Sequence, residues 1–207
     1  EYLKNIAKII YDQDGDKWLN TKNEIEKLKY FENFAVKNLM ASIKEDLSLI
    51  NINFDRFTFE SEIVANELIN NVFALLKEKN LLYKGILDKP KNDEENNWEP
   101  RKQLLFRSSN FGDDADRPFQ KANGELTYFA KDAAYHYEKY SRGYDQLINI
   151  WGADHVGYIS RMKSVVDIIS NKKNYLDVQV CQIVHLRKNG KLLKISKREG
   201  NFITLKE

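Results

Sequence analysis

The sequence predicts an α/β fold, and three features of it carry that prediction. The C-terminal third alternates apolar strand, helix and apolar strand. The first third repeats apolar residues at helical spacing. All three prolines, Pro90, Pro100 and Pro118, fall between these regions, in a stretch suited to short strands.

In the first third, Leu3, Ile6, Ile9 and Ile10 give a short helix that stops at the Asp14-Gly15-Asp16 turn. Ile25, Leu28, Phe31, Val36, Leu39, Met40, Ile43, Leu47 and Ile50 then recur mostly three to five residues apart, which predicts a longer helix with this stripe in the core. Phe54, Phe57 and Phe59 suggest a short strand. A further helix is expected from Glu62 to about Lys79, with Ile63, Leu68, Val72 and Leu76 as its apolar positions. Leu81 to Ile86 and Gln103 to Arg107 read as strands of a small β-rich insertion, separated by the polar run Lys91 to Asn97.

From the Asn123-Gly124 turn onward, a helix through about Tyr140 precedes an apolar strand, Leu147 to Trp151, which Gly152 ends. A helix from His155 to Ser170 and a strand from Val178 to Leu186 follow. This β-α-β order belongs to a parallel sheet, where ligands bind beyond the carboxyl ends of the strands. The expected organisation is therefore a mainly helical segment over 1–53, a core strand and helix over 54–80, the β-rich insertion over 81–122, and a nucleotide-binding half over 123–207.

Composition permits a globular enzyme: of 207 residues 42% are hydrophobic, enough for a sizeable core. Lys+Arg 33 against Asp+Glu 31 leaves a net charge of +2, so bulk charge implies no strong nucleic-acid affinity. Any such contact would come from the basic stretch Arg187 to Arg198, which contains no acidic residue. Cys181 has no partner for an internal disulfide and reads as a buried small hydrophobe. His136, His155 and His185 match no compact metal spacing, so no protein-bound zinc is expected. No apolar run approaches the ~20 residues of a membrane span, and the N-terminus lacks a signal-peptide layout, which together predict a cytoplasmic protein. Glu1 in place of an initiator methionine makes the chain read as a fragment of a longer one.

Three segments could carry chemistry. Lys194-Ile195-Ser196-Lys197-Arg198-Glu199-Gly200-Asn201 combines basic groups, a hydroxyl and a glycine, the make-up of a phosphate-binding loop, although a basic loop alone is also an ordinary solvated turn. Gly152-Ala153-Asp154-His155 joins a strand to a helix. The missing side chain at Gly152 allows close approach and Asp154 can accept from ribose hydroxyls; an ordinary strand exit is the competing reading. Tyr128, Asp132, Tyr135 and His136 fall near one helix face and could line a pocket in which a carboxylate meets a guanidinium, or could simply pack. His185 reads as packed or as presenting backbone groups to a ligand.

Taken in order, Asn110-Phe111-Gly112-Asp113-Asp114-Ala115-Asp116-Arg117, Thr127 to Asp132, Asn149 to His155 and Lys194 to Thr204 resemble the catalytic domain of the arginyl-tRNA synthetases, which are class I aminoacyl-tRNA synthetases. The resemblance covers essentially the whole chain. It implies the second half of a Rossmann-like class I catalytic core with a helical and a small β-rich insertion, ligating L-arginine to tRNA(Arg) through an arginyl-adenylate made from ATP with Mg²⁺. The loop matching the family's KMSKS signature places Lys194, Ser196 and Lys197 in catalysis, Lys197 stabilising the transition state. Tyr128, Asp132 and His155 would bind arginine, with Asp132 reading the guanidinium. Gly152 and Asp154 would approach the ATP ribose, and Val184 and His185 the adenine. The family's HIGH signature has no counterpart, since no His-x-Gly-His occurs; the piece is thus expected to be inactive alone and to lack the family's anticodon-binding domain. A synthetase for another amino acid and a non-catalytic binding module are the alternatives.

Overall fold

The structure, a computed structural model, describes residues 2–65, 67–87, 100–182, 184–188 and 190–192. The chain divides into two compact units: residues 1–57 with 185–207, and residues 58–184.

In the first unit, α1 (Tyr2–Asp14), α2 (Lys17–Asn20) and α3 (Glu24–Leu49) follow in succession. Asn23 caps α3 by accepting from the Glu26 N–H at 3.2 Å, and Glu24 and Glu26 in its first turn favour the helix dipole. Trp18 anchors the packing. Its indole N–H donates to Asp14 Oδ2 at 2.6 Å, and its ring stacks on Tyr30 with centroids 4.3 Å apart. Ile6, Ile10 and Trp18 are the buried residues, with Phe31, Phe34 and Leu39 partly buried against them. The helices arise as the spacing predicts, but the stripe of α3 is not core: Ile25 is 80% exposed and Leu28 63%. α1 and α2 together are shorter than α3, so they cover only its aromatic middle. Phe54, Phe57 and Phe59 form no strand; their spacing is three then two rather than a strict alternation, and Phe54 instead meets Phe57 edge to face at 5.5 Å. Separately, β6 (Arg187–Lys188) pairs antiparallel with β7 (Lys191–Leu192).

The second unit holds two sheets around one core. The helix expected from Glu62 is two helices, α4 (Glu60–Ala65) and α5 (Leu68–Glu78). β1 (Leu82–Gly85), β2 (Gln103–Phe106) and β3 (Arg117–Gln120) form an antiparallel sheet in that order, and the β2–β3 register shifts between Leu104 and Leu105, where Leu105 faces Pro118. α6 (Tyr128–Ser141) then leads to β4 (Leu147–Gly152), which pairs in parallel with β5 (Leu176–Cys181) across α7 (Ile159–Ser170). α6 starts at Thr127, whose hydroxyl accepts from the Ala130 N–H and donates to the Pro118 carbonyl at 2.9 Å. Asp167 near the end of α7 accepts the N–H groups of Asn174 and Tyr175, which turns the chain into β5. Val72, Leu76, Phe106, Phe119, Ala130, Met162, Val165 and Leu176 are buried together, so α5, α6 and α7 share one apolar interior with both sheets. The strand expected over Val178 to Leu186 begins at Leu176 and ends at Cys181, because its partner β4 stops at Gly152. Cys181 is accordingly exposed rather than buried.

A short 3-10 turn, Ser108–Phe111, ends at Gly112 with φ 87 and brings Asp113 against two arginines. Arg117 donates to both Asp113 oxygens at 3.0 and 2.8 Å, and Arg161 Nε lies 3.0 Å from Oδ2, so the loop is tied to α7. Burial opposes ionisation of Asp113, but the Arg117 hydrogen bonds and the Arg161 charge overcome it and hold the carboxyl well below the usual carboxylate range. A carboxyl depressed in the folded state contributes stability above its unfolded value of about 4 and loses it as pH falls further. In the full-length protein, Asp113→Asn is expected to cost about 3 kcal/mol at neutral pH by leaving two arginines short of their partner. Thermal unfolding should show the gap to wild type closing as pH falls below about 4.

Candidate functional site

A cavity of about 170 Å³ lies in the second unit between the start of α4 and one face of α6. Thr58, Phe59, Glu60 and Ile63 line one side, and Lys131, Asp132 and Tyr135 the other. The i, i+3 and i+4 spacing of α6 is what turns Lys131, Asp132 and Tyr135 toward the same space. Lys131 is held to Glu60 by an ion pair at 2.6 Å, which fixes both rims.

Asp132 is the chemically distinctive member. Its Oδ2 accepts from the Tyr158 hydroxyl at 2.9 Å, while Oδ1 accepts no hydrogen bond among the described residues. Burial pushes its carboxyl above the ordinary value, and the Tyr158 hydrogen bond and the Lys139 charge offset this only in part. Burial and the neighbouring carboxylate likewise push the Tyr158 hydroxyl far above its usual range, so it stays a donor. An anion so placed gains from a cation that fills the cavity and donates to Oδ1.

One turn further along α6 from Asp132, a closed polar cluster joins the helix to β4. His136 is buried and its Nδ1 lies 2.7 Å from the Asp132 carbonyl oxygen, which can only accept, so Nδ1 carries the proton. Nε2 is then an acceptor, reached by the Asn149 amide at 2.8 Å and by Lys139 Nζ at 3.2 Å. Lys139 Nζ also donates to Asn149 Oδ1 at 2.9 Å. Burial, reinforced by the Lys139 charge, pushes the imidazole down to about 4, and burial, reinforced by Arg142, pushes the Lys139 ammonium down to about 8. His136 is thus neutral and Lys139 still mainly charged at neutral pH.

The other expected site residues are placed differently. Tyr128, the first residue of α6, is 79% exposed, does not line the cavity, and has Lys131 Nζ 5.6 Å from its ring centre. His136 faces the interior and not a pocket, so of the four residues expected on one face only Asp132 and Tyr135 line the cavity. Gly152 ends β4, and a Cβ there would run into the Asp154 carboxylate. Asp154 and His155 are exposed in the following 3-10 turn, His155 Nε2 lying 3.5 Å from Asp154 Oδ2 and its ring 6.2 Å from that of Trp151. Val184 and His185 are exposed and outside any strand, so the Val178 to Leu186 strand does not reach them. Lys194, Ser196 and Lys197 lie outside the described residues. Tyr158, Lys139 and Glu60 join the site without a motif to mark them, and Asn149 joins it as the first residue of the Asn149 to His155 segment, with no role assigned to it from the sequence. Lys139 could have been found, since 132, 136 and 139 share helical spacing, whereas the Asp132–Tyr158 pair joins two separate elements and leaves no local signal.

A larger cavity of about 320 Å³ in the first unit, lined by Ile6, Ile10, Trp18 and Phe31, is apolar and offers nothing to orient a charged substrate.

No protein-family profile matches the chain. Along its whole length it is 44% identical to the arginine–tRNA ligase of Ruegeria sp. (strain TM1040), and it spans 36% of that protein. It is 41% identical to the arginine–tRNA ligase of Ehrlichia chaffeensis, again over its whole length and over 36% of the relative. A crystal structure assigned to an arginyl-tRNA synthetase of Campylobacter jejuni superposes with a TM-score of 0.78 at 30% identity, over 99% of this chain and 40% of the other. The arginyl-tRNA synthetase of Plasmodium falciparum, at 16% identity and a TM-score of 0.57, shares the fold over 87% of this chain and 29% of the other. The chain therefore spans about a third of the length of the curated relatives it matches.

Because His136 is held deprotonated, the unfolded state takes up the extra proton between pH 6.5 and about 4. Stability contributed by the neutral imidazole is present above that window and lost as pH falls through it, by up to about 1.4 kcal/mol per unit. Thermal unfolding of the full-length protein and of its His136→Asn variant should therefore converge as pH is lowered across this range. A constant gap between the two would mean that the imidazole is protonated in the folded state.

Proposed function

We propose, for a chain that belongs to the arginine–tRNA ligase family, that the full-length protein ligates L-arginine to tRNA(Arg) in the cytoplasm through an arginyl-adenylate made from ATP with Mg²⁺. The observation that carries this reading is Asp132, a partly buried carboxylate in the cavity wall with one oxygen held by Tyr158 and no hydrogen bond to the other among the described residues. A guanidinium entering there supplies the missing counter-charge and donates to Oδ1, a contact worth more in this partly dry setting than in water. Tyr135 and Phe59 give the apolar wall along which the substrate's methylenes lie. Tyr128 and His155, which do not line this cavity, are assigned to the arginine by the family resemblance alone.

The arginine carboxylate then attacks the α-phosphorus of ATP in line. A carboxylate oxygen–phosphorus bond forms while the bond to the bridging oxygen of pyrophosphate breaks, and negative charge builds on the departing group. Lys197, with Lys194 and Ser196 in the same loop, neutralises that charge. An ammonium on a flexible stem suits a charge that moves as the reaction proceeds. Gly152 lets the ribose approach the end of β4 and Asp154 accepts from its hydroxyls, while the backbone at Val184 and His185 flanks the adenine. A tRNA hydroxyl finally displaces AMP from the adenylate, forming the ester.

Pyrophosphate exchange by the full-length protein, measured with arginine, ATP and tRNA(Arg), tests the reading. Lys197→Ala should lower kcat by about a hundredfold or more, the loss typical of one transition-state charge contact. Asp132→Asn should raise KM for arginine at least about tenfold. Exchange that depends on another amino acid would point to a different class I synthetase, and absence of any exchange to a binding module. Unchanged arginine dependence in Asp132→Asn would remove this carboxylate from the guanidinium site.

A further inference from the structure

The stripe of α6 that carries Asp132 continues through His136 and Lys139 into more polar structure than helix packing requires. His136 and Asn149 are both buried, and a buried imidazole–amide–ammonium cluster costs desolvation that an apolar trio would avoid. The cluster is nevertheless fully closed: His136 Nε2 accepts from Asn149 and Lys139, and Lys139 donates to Asn149 Oδ1. Each of its outward connections leads to a cavity wall or to the strand next to it. His136 Nδ1 donates to the backbone carbonyl of Asp132. The Lys139 ammonium sits 4.8 Å from the ring centre of Tyr135, the other α6 wall residue. Asn149 belongs to β4, three residues before Gly152.

We propose that His136, Lys139 and Asn149 are positioning residues for the amino-acid substrate, fixing Asp132 and Tyr135 from the next turns of the helix and setting the α6 wall relative to β4. The proposal rests on the reading of Asp132 as the guanidinium contact. The cluster touches neither cavity nor substrate and acts through the two residues that do. A side chain on a single helix can rock about the helix axis; one whose backbone is pinned to a neighbouring strand cannot, and a bidentate or end-on guanidinium contact tolerates little displacement. Lys139 also lends positive charge near Asp132, which opposes the rise that burial imposes on that carboxyl.

The test is steady-state aminoacylation by the full-length protein, with arginine and ATP varied in turn. Asn149→Leu keeps the volume and removes both amide contacts, and Lys139→Met removes the ammonium while keeping the stem. Each should raise KM for arginine about tenfold and leave KM for ATP within about twofold. Lys139→Arg, which retains the charge, should recover most of the loss. Equal weakening of arginine and ATP, or an unchanged KM for arginine in folded variants, overturns the proposal. Should Asn149→Leu or Lys139→Met fail to fold, His136→Gln, which keeps an acceptor for Asn149 and Lys139 but loses the Nδ1 donation to the Asp132 carbonyl, should still give the arginine-selective rise; a wild-type KM there overturns it equally. Asp132→Asn serves as the control that separates the two readings. If it spares arginine binding, the pocket assignment itself fails. If it weakens arginine while the cluster variants do not, only the positioning role fails.

Discussion

The parallel pairing of β4 with β5 is the constraint on which the second unit depends. Parallel neighbours cannot be joined by a tight turn, so the chain must leave the end of β4, cross over and return to the start of β5. α7 is that crossing. Its exit is fixed by Asp167 and its apolar face, Met162, Val165, Val166 and Ile169, becomes the shared wall of the core. Because Leu147 lies opposite Leu176 and Gly152 opposite Cys181, both strands stop together and expose the Gly152–His155 corner at their carboxyl end. The same register turns Asn149 inward to meet His136 of α6.

At the site, charge is distributed by depth. The ion pairs nearest solvent, such as Lys131 with Glu60, are single contacts that mostly fix geometry. Deeper in, the Asp132 carboxylate accepts one hydrogen bond among the described residues and burial raises its pKa, and deeper still His136 is forced neutral between two donors. This gradient matters because an electrostatic site works by differential binding: a carboxylate already fully paired by the protein would gain little from a substrate cation. Tyr158 supplies one hydrogen bond and stops there.

Much of this was legible from residue order. The strand–helix–strand alternation after Asn123, the strands at Leu82–Gly85 and Gln103–Phe106, and the helix carrying Asp132 all follow from periodicity and turn residues, since each is set by interactions within a few positions. Local pattern fails where a partner decides. The stripe of α3 has helical spacing, but spacing does not say whether another element will cover Ile25 and Leu28. Phe54 to Phe59 has the residue types of a strand without a neighbour to pair with. The inward turn of His136 and the exposure of Tyr128, both on one helix, depend on β4 lying behind and not in front. Tyr158 found Asp132 across a fold that no window of sequence contains.

The prolyl residue in β3 has one more consequence. A peripheral strand offers its free backbone groups to any extended chain, and a sheet of three short strands is otherwise well suited to growing a fourth from another molecule. Pro118 has no N–H to offer, the register slip beside it twists the ribbon, and the outer side is closed by a lone bridge from Gln120 to Leu126. The β3 border of this small sheet is thus chemically blunted, leaving a poorer template for an added strand than an unbroken edge would offer.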